Sequence, residues 1–260
     1  MLDRQAVAAA MTGHDAVVQL AALDYAVDAT EQQFFETNVQ DLRNVLEAAE
    51  AAGVGRTVVC SSIAALGLSA ENPPHYLPVD REHPAAPVDA YSLSKQVGEV
   101  IAQGFAWRGT MEVRCLRPGL VMQSGIAYDV AVKAAASDGA APPPVAIDPS
   151  WRVLPEAIGG SRAFVSPVDA GRCFRAALEA EGRSFDIYHV TAADTFSPLA
   201  TLEIVGREYH AAPEIRHAAL FDADPRASIY NFSRTCEMLN WEPRERWSDL
   251  LGRVIAEAKV

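Results

Sequence analysis

The chain has 260 residues, 50% of them hydrophobic, and a formal net charge of −12 from 22 Lys and Arg against 34 Asp and Glu. That length supports a large core in one domain or two closely joined ones. No Lys/Arg run or basic stripe is present, which disfavours nucleic acid, and no apolar run approaches membrane-spanning length. Met1-Leu2-Asp3-Arg4 lacks the charged-then-apolar order of a signal peptide, so a cytoplasmic protein is expected. Cys60, Cys115, Cys173 and Cys236 show no Cys-x-x-Cys spacing, and the six histidines show no ligand spacing. Reduced thiols and no metal are the expectation.

In chain order, Ala16 to Ala22 reads as a buried strand. Residues 30–52 form a helix with Val39, Leu42, Val45, Leu46 and Ala49 on one stripe, ended by Gly53 and Gly55. Arg56 to Cys60 is a second strand, followed by a loop rich in proline and polar residues over 68–88. A helix is expected over 89–107, and a third strand from Met111 to Leu116, broken by Arg117-Pro118-Gly119. Phe185 to Val190 supplies a fourth strand. Strands buried on both faces and separated by helices indicate a parallel α/β sheet. The second half differs. Residues 137–160 carry Ala-Pro-Pro-Pro and read as a mobile connection over a cleft, with helices expected at 168–180, 198–208, 231–239 and 246–258. No internal repeat is present.

Tyr91 and Lys95 lie four residues apart, about one helical turn, so both project from one face of the 89–107 helix. A phenol beside an ammonium is a usable proton donor. The positive charge favours phenolate and pulls the Tyr pKa down from about 10.

Several segments, in order, resemble one family. Ala16-Val17-Val18-Gln19-Leu20-Ala21-Ala22 is similar to the fourth strand of the extended short-chain dehydrogenase/reductases, the NAD-dependent epimerase/dehydratase family. Asn38-Val39 resembles that family's Asn-Val element, and Ser61-Ser62 followed by Gly67 its Ser-Ser strand end. Tyr91-Ser92-Leu93-Ser94-Lys95 resembles its Tyr-x-x-x-Lys, and Arg117-Pro118-Gly119 its next strand end. Arg162-Ala163-Phe164-Val165 through Asp169 and Leu239-Asn240-Trp241-Glu242-Pro243 resemble its later elements.

The resemblance implies a Rossmann-like α/β fold, truncated at the N-terminus, over residues 1–120 with a returning strand near 185–190. Residues 121–260 would be mostly a smaller substrate-binding lobe. It implies an NAD(P)-dependent oxidoreductase or epimerase acting on a sugar, sugar nucleotide or related carbonyl or hydroxyl compound. Tyr91 would transfer the proton. Lys95 would hold the nicotinamide ribose and lower the Tyr pKa. Ser62 would polarise the substrate oxygen. Ala21, Ala22, Asn38, Ser61, Pro118 and Gly119, with Tyr91 and Lys95, would form the cofactor site, and Arg162 would contact substrate. Each assignment has a plainer counterpart. Ser62 also reads as a turn cap, although its register to Gly67 favours catalysis; Asn38 reads equally as a helix cap and Arg162 equally as a solvated surface residue, with Ala163 standing where the family usually has an acidic residue. Tyr76, Trp241 and Trp247 read as packing, and His75 and His83 as exposed loop residues.

One departure matters. The family opens with a strand, a Gly-x-x-Gly-x-x-Gly turn and a helix, which bring backbone N–H groups to the cofactor pyrophosphate. No such turn is present. Gly53-Val54-Gly55 follows a helix and precedes a strand, the wrong order for a phosphate cradle. Roughly 60 residues of a first βαβαβ unit are absent, at about 30 per βαβ repeat. A late start or truncated gene is the expectation, with NAD or NADP binding weakened or lost and the 16–22 strand left with an open edge. The alternative is a non-catalytic binding or regulatory remnant. The 30–52 and 89–107 helices resemble those the family often pairs in a homodimer. Few phosphate-ready cations occur beyond Arg152 and Arg162, which favours a smaller sugar or carbonyl compound.

Overall fold

A computed structural model describes residues 3–25, 27–123, 126, 127, 130, 161–182, 184–210 and 212–257. The expected connection over 137–160 and Arg152 lie outside the described residues. The chain begins with helix α1 (Arg4–Met11), capped by the Asp3 side chain on the Gln5 and Ala6 N–H groups, and strand β1 (Ala16–Gln19). Helix α2 (Glu31–Phe34) starts in a capping box between Thr30 and Gln33. It runs through a π-helical stretch, Phe35–Gln40, into α3 (Asp41–Ala51). Gly53 takes φ +73 directly after it, the left-handed turn that ends a helix. Strand β2 (Arg56–Cys60), a 3-10 turn (Ile63–Leu66) and the short β3 (Tyr76–Leu77) follow. Helix α4 (Ala90–Trp107) is capped by Asp89, whose carboxylate accepts from the Ser92 N–H at 2.9 Å.

Strands β4 (Glu112–Pro118), β5 (Leu120–Val121) and β6 (Phe164–Val165) lead to helix α5 (Pro167–Glu179), with Ser166 as its cap, and to β7 (Phe185–Val190). Then come α6 (Thr201–Tyr209), β8 (Glu214–Ile215), α7 (Ala218–Ala223), α8 (Ser233–Leu239) and α9 (Trp247–Glu257).

Four strands form one parallel sheet in the order β1-β2-β4-β7, and two small parallel pairs, β3-β8 and β5-β6, stand apart from it. Alternate residues feed opposite faces. Val59, Val113 and Cys115 pack with Val7, Leu42, Leu46 and Phe105 from α1, α3 and α4. Val58, Leu116, Tyr188 and Val190 pack with Ala170, Cys173 and Ala177 of α5 and with Trp241. This two-sided burial is what a parallel sheet demands. The fold is therefore the mixed α/β parallel sheet that the alternating pattern implied, with the Rossmann-like arrangement that the resemblance implied. Helix α5, from the second half of the chain, covers the sheet's second face.

Two strands differ from expectation at their carboxyl ends. β1 stops at Gln19 rather than at residue 22. The Gln19 amide donates to Ala21 O at 2.7 Å, and Asn38 takes up the Leu23 backbone, so the chain turns out of the sheet. β4 runs through Pro118 instead of ending at Leu116, because the Gly119 N–H continues the ladder to Val190 O at 3.1 Å.

Candidate active site

The carboxyl ends of β1 and β2 open on a small cleft. Gln19, Ala21, Ala22, Cys60 and Ser61 come from the strand ends. Asn38 and Leu42 come from the helix opposite, and Ser94, Lys95, Gly98 and Glu99 from α4. Ligands in open α/β sheets sit at such edges. The cap at Asp89 sets the phase of α4, and that phase turns Tyr91 and Lys95 toward the β2 end. Lys95 Nζ donates to Cys60 O at 3.0 Å and stands 5.6 Å from the centroid of the Tyr91 ring. Ser62 shares a side-chain hydrogen bond with Tyr91 and also accepts from the Ala64 N–H at 3.1 Å. It therefore caps the 3-10 turn and meets the phenol at once. Ser62, Tyr91 and Lys95 are brought together, with Lys95 lining the cleft and Ser62 and Tyr91 standing beside it rather than among its lining residues.

The electrostatics run against the expected acidic phenol. Burial pushes the Tyr91 phenol well above its ordinary value, outweighing the Ser62 hydrogen bond, and Cys60, Tyr25 and Asp24 push it the same way. Burial also lowers the Lys95 amine, opposed by Cys60, Asp24 and Glu99. The expectation that Lys95 pulls the phenol toward neutral pH fails here because desolvation of the phenolate is the larger effect.

Asn38 is no helix cap. It lies inside the π-helical stretch, nine-tenths buried, and its amide is used on both sides. Oδ1 accepts from Leu23 N–H at 2.7 Å, while Nδ2 donates to Leu23 O at 3.0 Å and to Ser94 Oγ at 2.9 Å. Ser61 Oγ donates to Glu99 Oε1 at 2.6 Å. Arg117 closes that cluster, with Nε and Nη2 each 2.7 Å from a Glu99 oxygen.

Pro118 and Gly119 are buried at the end of β4 and do not line the cleft. A Cβ on Gly119 would meet the Ala163 and Phe164 backbone at 3.1 Å. Arg162 does not line the cleft either. It is not a solvated residue: only 4% exposed, it donates from Nη2 to Glu208 Oε1 at 2.8 Å. Tyr76, Trp241 and Trp247 are buried packing residues. His75 is exposed, but His83 is buried, because Nε2 accepts from the His75 N–H at 2.9 Å and Nδ1 lies 2.8 Å from Pro84 O. Among the described residues no cluster of His, Cys, Asp or Glu is suited to a metal ion, and no helix is long and apolar enough to cross a membrane.

Three neighbours of the site escaped sequence reasoning. Glu99 was readable in principle, since it continues the four-residue spacing of Tyr91 and Lys95. Phe34, edge-on to the Tyr91 ring at 6.3 Å, and Tyr25, 4.4 Å from it, carry no such signal.

Residues 1–136 match the model of the NAD dependent epimerase/dehydratase family. The N-acetyl-alpha-D-glucosaminyl-diphospho-ditrans,octacis-undecaprenol 4-epimerase of Escherichia coli O157:H7 is 38% identical over 104 residues, 40% of this chain and 30% of that protein. The L-arabinose 1-dehydrogenase (NAD(P)(+)) of Haloferax volcanii is 34% identical over 128 residues, 46% of this chain and 50% of that protein. The matched segments thus span half or less of these relatives. Among solved structures, RMD from Pseudomonas aeruginosa complexed with NADPH superposes with a TM-score of 0.68 at 18% identity, over 99% of this chain and 86% of that one. A family match across just over half of the chain, on the stretch that carries β1, β2, β4 and the Tyr91 helix, makes this protein a member of the NAD-dependent epimerase/dehydratase family.

Proposed function

We propose that the chain carries the nicotinamide end and the proton-transfer groups of an NAD(P)-dependent oxidoreductase or epimerase. Its substrate class is a sugar, sugar nucleotide or related carbonyl or hydroxyl compound. The observation that carries this reading is the meeting of Ser62, Tyr91 and Lys95 at the end of β2. The names of the relatives, a sugar-lipid epimerase and a sugar dehydrogenase, support the substrate class.

The residues fit the cofactor unevenly. The nicotinamide end suits the cleft, where Ala21 and Ala22 leave backbone accessible beside Lys95 and Asn38. Among the described residues the pyrophosphate finds no cradle. Gly53 and Gly55 lie between α3 and β2, where a Cβ on Gly53 would meet open space and one on Gly55 only Asp15 O at 3.8 Å. A nicotinamide, when bound, supplies acceptance and donation of hydride.

The chain's own residues would act as follows. Tyr91 gives or takes the proton at the reacting oxygen. Ser62, fixed by the Ala64 N–H, donates a hydrogen bond to that oxygen and polarises it. Lys95, steered by Cys60 O, holds a ribose hydroxyl and, once a ligand adds acceptors, favours the phenolate that burial now opposes. Asn38 fixes the loop after β1. Pro118 and Gly119 flank the nicotinamide from the neighbouring strand. Arg162, released from Glu208, offers a guanidinium to substrate. Helices α2–α3 and α4 form the surface of a homodimer, and exposed Val100 and Trp107 on α4 support that face. The second reading is a non-catalytic binding or regulatory remnant.

Thermal shift with NAD, NADP and nicotinamide mononucleotide at millimolar concentration separates the two. The enzyme reading expects the mononucleotide to stabilise the fold about as much as NAD, and Lys95→Ala to abolish both shifts. No shift from any of the three supports the remnant.

A further inference from the structure

The segment from Leu20 to Tyr25 leaves the sheet and runs to the Tyr91 helix without joining any strand or helix. Its backbone is suspended from Asn38, which holds both the N–H and the C=O of Leu23. The π-helical stretch presents Asn38 for this, and π-helical turns are frequent at functional sites. Beyond Leu23 the segment ends on Tyr25. That ring lies 4.4 Å from the Tyr91 ring, tilted by 57°. Its hydroxyl is 2.6 Å from Ser92 Oγ and donates to Asp89 Oδ2 at 3.2 Å, at the first turn of α4. Phe34 meets Tyr91 edge-on at 6.3 Å. Tyr91 is therefore enclosed by two aromatic side chains, yet Tyr25 itself is 37% exposed. A side chain that covers part of its half-buried neighbour while remaining accessible, and is held by hydroxyl contacts that water can replace, is suited to leaving.

From this arrangement we infer that Tyr25 is a positioning residue that closes the reacting end of the cleft over Tyr91. A substrate ring reaches the phenol by displacing Tyr25 and then packs against it as a wall. The inference deepens the proposed function and rests on its assignment of Tyr91. The aromatic wall fits a sugar ring, with an apolar face to lie on Tyr25 and hydroxyls to reach Ser62 and Tyr91. Asp24, Cys60 and Lys95 are the titratable groups that face Tyr91 with Tyr25, and Asp89 lies behind it.

The test needs no substrate. Tetranitromethane nitrates tyrosines as phenolates, and peptide mass spectrometry locates the nitrated positions. At fixed pH, nitration of Tyr91 should be low in the wild type and rise in Tyr25→Ala, by about tenfold for each unit by which uncovering lowers its pKa. Tyr25→Phe keeps the ring and should leave Tyr91 protected. If Tyr25→Ala does not fold, Asn38→Ala, which lets go of the strap with Tyr25 intact, should show the same rise. Equal nitration of Tyr91 in the wild type and in a folded Tyr25→Ala or Asn38→Ala overturns the inference. An inactive role for Tyr91 would appear separately, as an unchanged turnover in Tyr91→Phe, while the nitration pattern still reported on Tyr25.

Discussion

The loop after β2 and the strap after β1 both end against Tyr91, but they are held in different ways. The β2 loop is packed from within. Ser62 caps a 3-10 turn whose Ala65 and Leu66 are fully buried, and Gly67 closes it at φ +68. A Cβ at Gly67 would lie 2.4 Å from the Pro87 backbone, so only glycine admits that close approach. Ser61 is tied to Glu99, and Glu99 to Arg117. The strap has exposed residues at Leu20, Ala21, Ala22, Asp24 and Tyr25, and its main hold is the side chain of Asn38. Ser62 thus keeps a fixed relation to the phenol, whereas Tyr25 covers it and is able to part from it. A rigid hydroxyl and a removable cover beside one phenol are what the proposed alternation of substrate entry and proton transfer would use.

Perturbing the β2 side should cost the most. Glu99→Gln leaves the buried Arg117 guanidinium without its counter-charge, and the expected loss is about 3–5 kcal/mol of unfolding free energy in urea. Acid should loosen the packing next to this side. Burial, reinforced by Arg117, lowers His189 to about 3, and His83 is lowered by burial while its Nε2 accepts the His75 N–H. Both histidines are neutral in the fold and gain protons more readily once unfolded. Their contribution is complete above the unfolded value of about 6.5 and falls as pH drops through it, until the folded value is reached. For His189 alone the loss from pH 7 to pH 5 is about 2 kcal/mol. His189→Asn should flatten the stability–pH curve in that range. The strap side should respond least. Asn38→Ala removes the hold on Leu23, whose backbone then turns to water, and about 1–2 kcal/mol is expected. A strap variant that costs as much as Glu99→Gln would erase the distinction between the two loops.

The same contrast explains what was legible in the sequence. Periodicity marked Arg56–Cys60, Phe185–Val190 and the two long helices, because these elements bury a regular face. Tyr91 and Lys95 were readable from one turn of spacing. The π-helical stretch was not, since its extra residue per turn leaves no mark in an apolar stripe, and Asn38 consequently reads as a cap. Tyr25 and the early end of β1 depend on Asn38, 15 residues beyond Leu23, folding back onto the strap, and no local pattern encodes that. The burial of His83 and Arg162 follows from single tertiary partners, the His75 N–H and Glu208. The raised Tyr91 value has the same origin, because spacing shows the nearby amine but not the two rings that exclude water.

The most direct test of the central claim is turnover of Tyr91→Phe against the wild type, followed as NAD(P)H formation over a panel of sugars, with nicotinamide mononucleotide thermal shifts run in parallel. The account predicts a loss of at least about 100-fold, the contribution of a positioned acid–base group, with the thermal shift retained. Turnover within a few-fold of the wild type, in a variant that still binds the mononucleotide, would contradict it.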